Sequence, residues 1–347
     1  MVPPMWMRVA VFAVSLTGGL AAASSADAAL ALNAFGSGAG FTLTTTVGGW
    51  SYSSQFDYTL VSFAVPTPNG NIIAPANGGP TYLFSDTDNQ VLANNIGTAP
   101  LPSGPGFAMT TMNGQAYGSQ STGGYYKFNP NGTIASTIPV VGATSVYGLW
   151  GDAATNRLLS SAQLTSGPAI ISIDPTNGNY QVVANINYTA DGLTTTPDGS
   201  IVYVANYSAD TVIGYSLQTS TFGQTVFTTA YLGHGSDGMG VLAGNCKYAG
   251  NIVVNNNDGT VGLIDTGTAL ETTIASGGNR GDYASPDPTN GTLFLSQNDQ
   301  VARLKAPTGC SIGTVPAPEP SGGLAAGVGL AVLALLRSRR ERGDAVR

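Results

Sequence analysis

Residues 191–229 read DGLTTTPDGSIVYVANYSADTVIGYSLQTSTFGQTVFTT. Four short runs rich in β-branched and aromatic residues (LTTT, IVYVAN, TVIGYS and QTVFTT) are separated by turn-forming residues, most plainly the TPDG at 196–199. Runs of this length and composition, bounded by Gly, Pro, Asn and Asp, are antiparallel strands joined by hairpins. The same course is run again by DGMGVLAGNCKYAGNIVVNNNDGTVGLIDTGTALETTIAS from Asp237 and by GDYASPDPTNGTLFLSQNDQVARLKA from Gly281. Upstream it is run by YGLWGDAATNRLLSSAQLTSGPAIISIDPTNGNYQVVA from Tyr147 and FAMTTMNGQAYGSQSTGGYYKFNPNGTIAST from Phe107. A looser copy, YTLVSFAVPTPNGNIIAPANGGPTYLFSDTDNQVLANN, starts at Tyr58. A unit of about 40–46 residues with four strands is the signature of a β-propeller blade, because one such sheet cannot bury both its faces alone.

Six units result, and the last stops after Val301–Lys305, one strand short. GFTLTTTVGG at 40–49 resembles the fourth strands of the other units, so the prediction is an all-β, six-bladed propeller. Its ring is closed by that N-terminal strand, which removes the open sheet edge. Seven blades is the alternative, if 31–65 holds a further degenerate unit. The two cysteines, Cys246 between the first two strands of the fifth unit and Cys310 just after the sixth, are expected to form a disulfide near the closure point.

The ends of the chain speak of address. Arg8 precedes an apolar run from Val9 to Ala23, followed by SSADAA. This is the pattern of a secretory signal peptide over 1–28, with Ala26-Asp27-Ala28 as the signal-peptidase site. The other end carries Pro318-Glu319-Pro320, an apolar run from Gly322 to Leu336, and Arg337, Arg339, Arg340 and Arg342. Fifteen residues of helix reach about 22 Å, short of the roughly 30 Å hydrocarbon core. The arginines hold that end on the cytoplasmic side. This three-part tail resembles the PEP-CTERM sorting signal of exopolysaccharide-producing Gram-negative bacteria. The resemblance implies recognition of Pro318, Glu319 and Pro320 by an exosortase, transient inner-membrane anchoring, loss of the apolar run and arginines, and a final place at the cell surface or outside the cell. The expected organisation is a propeller over 29–311, a linker with the Pro-Glu-Pro motif over 312–321 and the sorting segment over 322–347.

With both ends removed, six basic residues face sixteen acidic ones between 29 and 319, a net charge of −10. No basic patch remains for nucleic acid or anionic lipid.

Candidate chemistry is sparse. Asp191, Asp237 and Asp282 occupy corresponding positions where each innermost strand begins, with Asp152 nearby in the third unit. Such a ring either binds Ca²⁺ or makes turns. His234, the sole histidine, lies in LGHGSDGMG; Arg280 lies two residues before Asp282. Trp150 is the candidate aromatic platform facing the channel mouth, and Tyr117, Tyr125, Tyr126, Tyr147, Tyr203, Tyr207, Tyr215 and Tyr283 offer rings that suit sugar faces or blade cores. The six-bladed plan is also similar to the gluconolactonase and regucalcin group, whose metal site includes a glutamate leading into the first blade. The first glutamate here is Glu271, in an outer strand of the fifth unit, so that activity does not carry over. Neither a nucleophile elbow nor a second histidine supports a hydrolase triad. Two readings follow: a cofactor-free, noncatalytic binding or matrix protein directed to polysaccharide or a surface protein, or a metal-dependent propeller hydrolase or lyase with its site at the mouth.

Overall fold

The computed structural model describes residues 29–49, 60–62, 70–75, 80–100 and 105–313. The stretches expected to be a signal peptide, a Pro-Glu-Pro motif and a sorting segment lie outside them. Among the described residues no helix is long and apolar enough to cross a membrane.

The turns expected from sequence form where expected. Gly70, Gly132, Gly178, Gly199, Gly259 and Gly291, each closing one of the Pro/Asn/Asp-Gly motifs, have φ between 68° and 81°. This left-handed region is costly to residues with a Cβ. Between these turns the strands assemble into six sheets arranged as blades in a ring. Blade 1 comprises Leu60–Ser62, Asn71–Pro75, Thr81–Ser85 and Gly97–Ala99; blade 2 comprises Pro105–Met112, Gln115–Gln120, Gly124–Phe128 and Ile134–Pro139. Blade 3 comprises Ala143–Asp152, Arg157–Leu164, Gly167–Ile173 and Tyr180–Asn185; blade 4, Ala190–Thr195, Ile201–Asn206, Thr211–Ser216 and Thr225–Thr228. Blade 5 comprises Ser236–Gly244, Ile252–Asn256, Val261–Asp265 and Leu270–Ser276. Blade 6 has Gly281–Asp287, Thr292–Gln297 and Val301–Lys305.

The fourth strand of blade 6 is Thr42–Gly48, antiparallel to Val301–Lys305. The ring is therefore six-bladed and closed by the N-terminal strand, and the seven-bladed alternative fails. The residues just before that strand already have another place. Ala31–Leu32 pairs with Ala275 and Ser276 at the outer edge of blade 5. Asn33 then caps a short helix, Ala34–Ala39, by accepting a hydrogen bond from the Gly36 N–H at 2.8 Å. The middle strands of a blade are sandwiched between neighbouring blades and are buried on both faces, as in Ile252–Asn256 and Thr292–Gln297. Outer strands are largely exposed or half-buried, as in Ile134–Pro139 and Thr225–Thr228.

Closure is reinforced by one buried cation. Arg303 on the third strand of blade 6 pairs with Asp287 at 2.5 Å, with Asp88 at 2.9 Å and with Asp86. Its guanidinium lies over the Phe294 ring, 4.5 Å from the centroid. Asp88 also accepts hydrogen bonds from Thr44 and Thr46 of the closing strand. Gln90–Val91, from the same loop of blade 1, adds a parallel pairing to Val47–Gly48. Blade 1, blade 6 and the closing strand are thus stitched at one point.

The disulfide joins Cys246 to Cys310 with a Cα separation of 5.5 Å. Beyond it the described chain does not leave at once. Cys310–Ile312 pairs antiparallel with Leu242–Gly244 of the innermost strand of blade 5, and the Gly313 N–H donates to Val241 O at 2.8 Å. The propeller therefore includes at least two more residues than the boundary at 311 expected from sequence.

Candidate functional site at the channel mouth

Every innermost strand from blade 2 to blade 6 carries a β-bulge in its first half, at Pro105/Met109, Val146/Leu149, Ala190/Leu193, Ser236/Met239 and Gly281/Ala284. A bulge places extra residues opposite one partner and re-aims their side chains. The extra residues in blades 3 to 6 are Tyr147-Gly148, Asp191-Gly192, Asp237-Gly238 and Asp282-Tyr283. This explains why the aspartates recur: they sit at one level, on the face where the innermost strands begin, called the upper face below.

The glycines beside them let successive blades approach. A Cβ on Gly192 would lie 2.3 Å from Asp237 O, and one on Gly238 would lie 2.1 Å from the Ala284 nitrogen. Blade 6 breaks the pattern with Tyr283. Its ring is buried, and its hydroxyl reaches the innermost strand of blade 3, donating to Leu149 O and accepting from Leu149 N–H. Tyr283 packs with Ala108, Met112, Val146 and Leu149, so the centre of the ring is filled at this level.

Above Tyr283 the polar groups form a chain. Asn257 donates to Asp237 Oδ2 at 3.2 Å and accepts from Arg280 Nε at 2.8 Å. Arg280 in turn lies 3.5 Å from Asp282. Asp237 is fully buried, and among the described residues its Oδ1 has no hydrogen-bond partner. Burial, then the charges of Asp191 and Asp282, push its carboxyl well above the usual range. Burial also raises Asp191, against the opposing pull of Arg280. Burial and the two neighbouring carboxylates thus disfavour the ionised form of Asp237. Among the described residues no group of three His, Cys, Asp or Glu side chains is arranged to hold a metal ion. Asp191, Asp237 and Asp282 share a level and a field without forming such a cage.

Other expected site residues are dispersed. His234 is on the upper face but outside the mouth, its Nδ1 2.7 Å from Asp258 Oδ2. That hydrogen bond, against opposing burial and with help from Glu271, raises the imidazole pKa. The loop around it is fixed by Asp210, whose carboxylate accepts from the backbone N–H groups of Gly233, His234, Gly235 and Ser236. Trp150 is corrected outright. It is fully buried in the core and contributes no platform at the mouth. A Cβ on Gly313 would come within 2.9 Å of its ring and 3.0 Å of Pro286. Trp150 is the eighth of the ten residues of Ala143–Asp152, so it lies toward the lower end of that strand, where Gly313 packs against it. Asp152 is likewise at the lower end of its strand, capping a turn through Ala154 and Thr155. Asn257, not among the residues expected at the site, stands in the NNDG hairpin between the second and third strands of blade 5, which returns to the upper face.

Two cavities of about 410 Å³ flank this framework. One, on the lower face, is lined by residues including Thr111, Asp152, Thr195, Pro288 and Gly313. The other lies between blades 3 and 4 beside the upper mouth and is lined by Tyr147, Gln163, Tyr188 and their neighbours.

No protein-family model and no curated protein matches the chain. Solved structures do match. An auxiliary nutrient binding protein from Bacteroides ovatus is similar over 76% of this chain and 76% of its own, with a TM-score of 0.55 and 11% identity. At that identity the likeness is one of fold, and the 1463 solved chains that match make it a likeness to a widely used architecture.

Proposed function

We propose that this chain is an exported surface protein that binds its ligand without transforming it, in a matrix role towards exopolysaccharide. It is delivered by the N-terminal signal peptide and processed by an exosortase at Pro318-Glu319-Pro320. The observation that carries the reading is the arrangement of the two faces. The described chain ends at Gly313 against Trp150 and Pro286 in the lower half of the ring, pinned to blade 5 by the disulfide. The polar mouth and the cleft between blades 3 and 4 are on the other face. A protein tethered or sorted through its C-terminal segment would then present its upper face outward. The sole histidine is engaged with Asp258, and the centre of the ring is filled by Tyr283, which supports recognition at a surface over chemistry in a channel. The printed role of the B. ovatus protein, nutrient binding, agrees in kind.

The test is the intact mass and metal content of the protein from its native host. A start at Ala29 and an end at Pro320, without stoichiometric metal, is the expected result. A complete C-terminus would overturn the sorting, and a stoichiometric divalent ion would overturn the cofactor-free reading.

One observation favours a hydrolase or lyase as the second reading: Asp237 is a buried, raised carboxyl with an unpartnered oxygen at the mouth. Release of reducing ends from a polysaccharide by the native protein, abolished in Asp237→Asn, would bring it forward.

A further inference from the structure

We propose that the cleft between blades 3 and 4 is a binding subsite for a neutral sugar unit; this deepens the surface-binding reading above and rests on it. The cleft is about 410 Å³, inside the roughly 300–1,000 Å³ typical of small-molecule sites. One wall is blade 3, with Tyr147 at its bulge and Gln163 on its second strand. The other is the connection into blade 4, with Asn187, Tyr188 and Thr189, and Ser208 stands at the rim.

No lining residue is charged. Tyrosine rings, carboxamides and hydroxyls are what remain, and these are the groups that suit a pyranose. Its C–H face packs on an aromatic ring, while its hydroxyls need partners that both donate and accept. Ionic ligands are disfavoured from two sides. A polyanion meets a processed domain of net charge −10, and an ammonium group finds no carboxylate in the lining.

The walls are fixed before any ligand arrives. Ile186 N–H donates to Pro168 O at 3.0 Å, and Tyr207 N–H to Thr189 O at 3.1 Å. The Tyr188 and Tyr215 hydroxyls are 2.8 Å apart and hydrogen-bonded. Ser161 accepts from Gly148 N–H at 2.9 Å. A preformed cleft spends little of its binding energy on ordering side chains. Its floor also touches the mouth: Ser161 Oγ lies 3.4 Å from Asp191 O, so a polymer lying in the cleft would continue toward the carboxylates.

The experiment is affinity electrophoresis of the exported protein, disulfide intact, in native gels containing dextran, galactan, mannan, alginate or chitosan. Retardation by at least one neutral polymer is expected. Ser208→Trp, an exposed rim substitution that fills the cleft without touching the core, and Tyr147→Ala should each weaken it at least tenfold. Tyr231→Ala, which removes a highly exposed tyrosine outside the cleft, should leave it unchanged. Circular dichroism verifies the fold of each variant. Undiminished retardation of Ser208→Trp, or retardation only by alginate or chitosan, overturns the cleft assignment and leaves surface binding standing. Retardation by none of the five overturns both.

Discussion

Replacing Arg303 by Met tests whether ring closure depends on one buried cation. The guanidinium is enclosed by Asp86, Asp88 and Asp287, and the Asp86 and Asp287 side chains are themselves 4% and 0% exposed. Met keeps the stem over Phe294 and removes the charge, leaving three carboxylates without their shared partner. Breaking a buried pair in this way costs about 3–5 kcal/mol, mostly the penalty of the charges left behind. With a urea m-value of about 3 kcal/mol/M, the midpoint of unfolding falls by roughly 1–2 M. The pH dependence is the sharper part. Burial, then Asp287, already raises the Asp86 pKa despite Arg303, and removing the arginine raises it further. An acid whose folded pKa lies above its unfolded value costs stability at neutral pH, and the cost shrinks as pH falls through the folded value. The deficit of Arg303→Met against wild type is therefore larger at pH 7.5 than at pH 5. A loss below about 1 kcal/mol, or a deficit equal at both pH values, would refute the reasoning.

Cys246→Ser opens a loop with a sequence separation of 64; the chain-entropy relation gives a loss of about 4 kcal/mol, read by denaturant unfolding in the absence of reductant. Gly238→Ala should cost about 1–3 kcal/mol, because the new Cβ meets the backbone of blade 6 at 2.1 Å. Gly97→Ala, with nothing within 4 Å of its Cβ, should stay within about 0.5 kcal/mol, and thermal melts compare the two. The lone imidazole of His234 should titrate above 6.5 by NMR and fall back in Asp258→Asn. Since its folded pKa is raised, its small contribution, under about 1 kcal/mol at this half-exposed site, is present below about pH 6.5. It is lost as pH rises through the folded value.

The architecture was legible because it rests on local chemistry repeated in register. The turn glycines, the four-strand units and the strand 42–48 missing from the last blade all announce themselves within a few residues. The bulge did not, since it is a property of pairing between strands. Its trace was nevertheless present: Asp-Gly at 191–192 and 237–238 becomes Asp-Tyr at 282–283, and a large residue at a position of close approach has only the axis to fill. Trp150 was misplaced because the innermost strand of blade 3 starts at Ala143, four residues before the Tyr147 that opens the sequence unit, and the residues in between carry no strong strand signal. Arg303 was unreadable for another reason. VARLK is an ordinary strand, and two of its carboxylate partners are more than 200 residues away in sequence. Asp210 reads as a turn residue, and its cradle of four N–H groups exists only once the blade 4 to 5 loop folds over it.

The seating of residues 310–313 on blade 5 has a mechanical consequence. A pull applied beyond Gly313 first meets the hydrogen bonds between Cys310–Ile312 and Leu242–Gly244, and then the sulfur bridge. That bridge carries the load directly from Cys310 to Cys246 and bypasses residues 247–309, including the consecutive strands of blade 6. The seam between Val301–Lys305 and Thr42–Gly48 is left out of the force path. Tension transmitted through Gly313 would therefore strain blade 5 at a covalent clamp before it could peel the ring open at its closure.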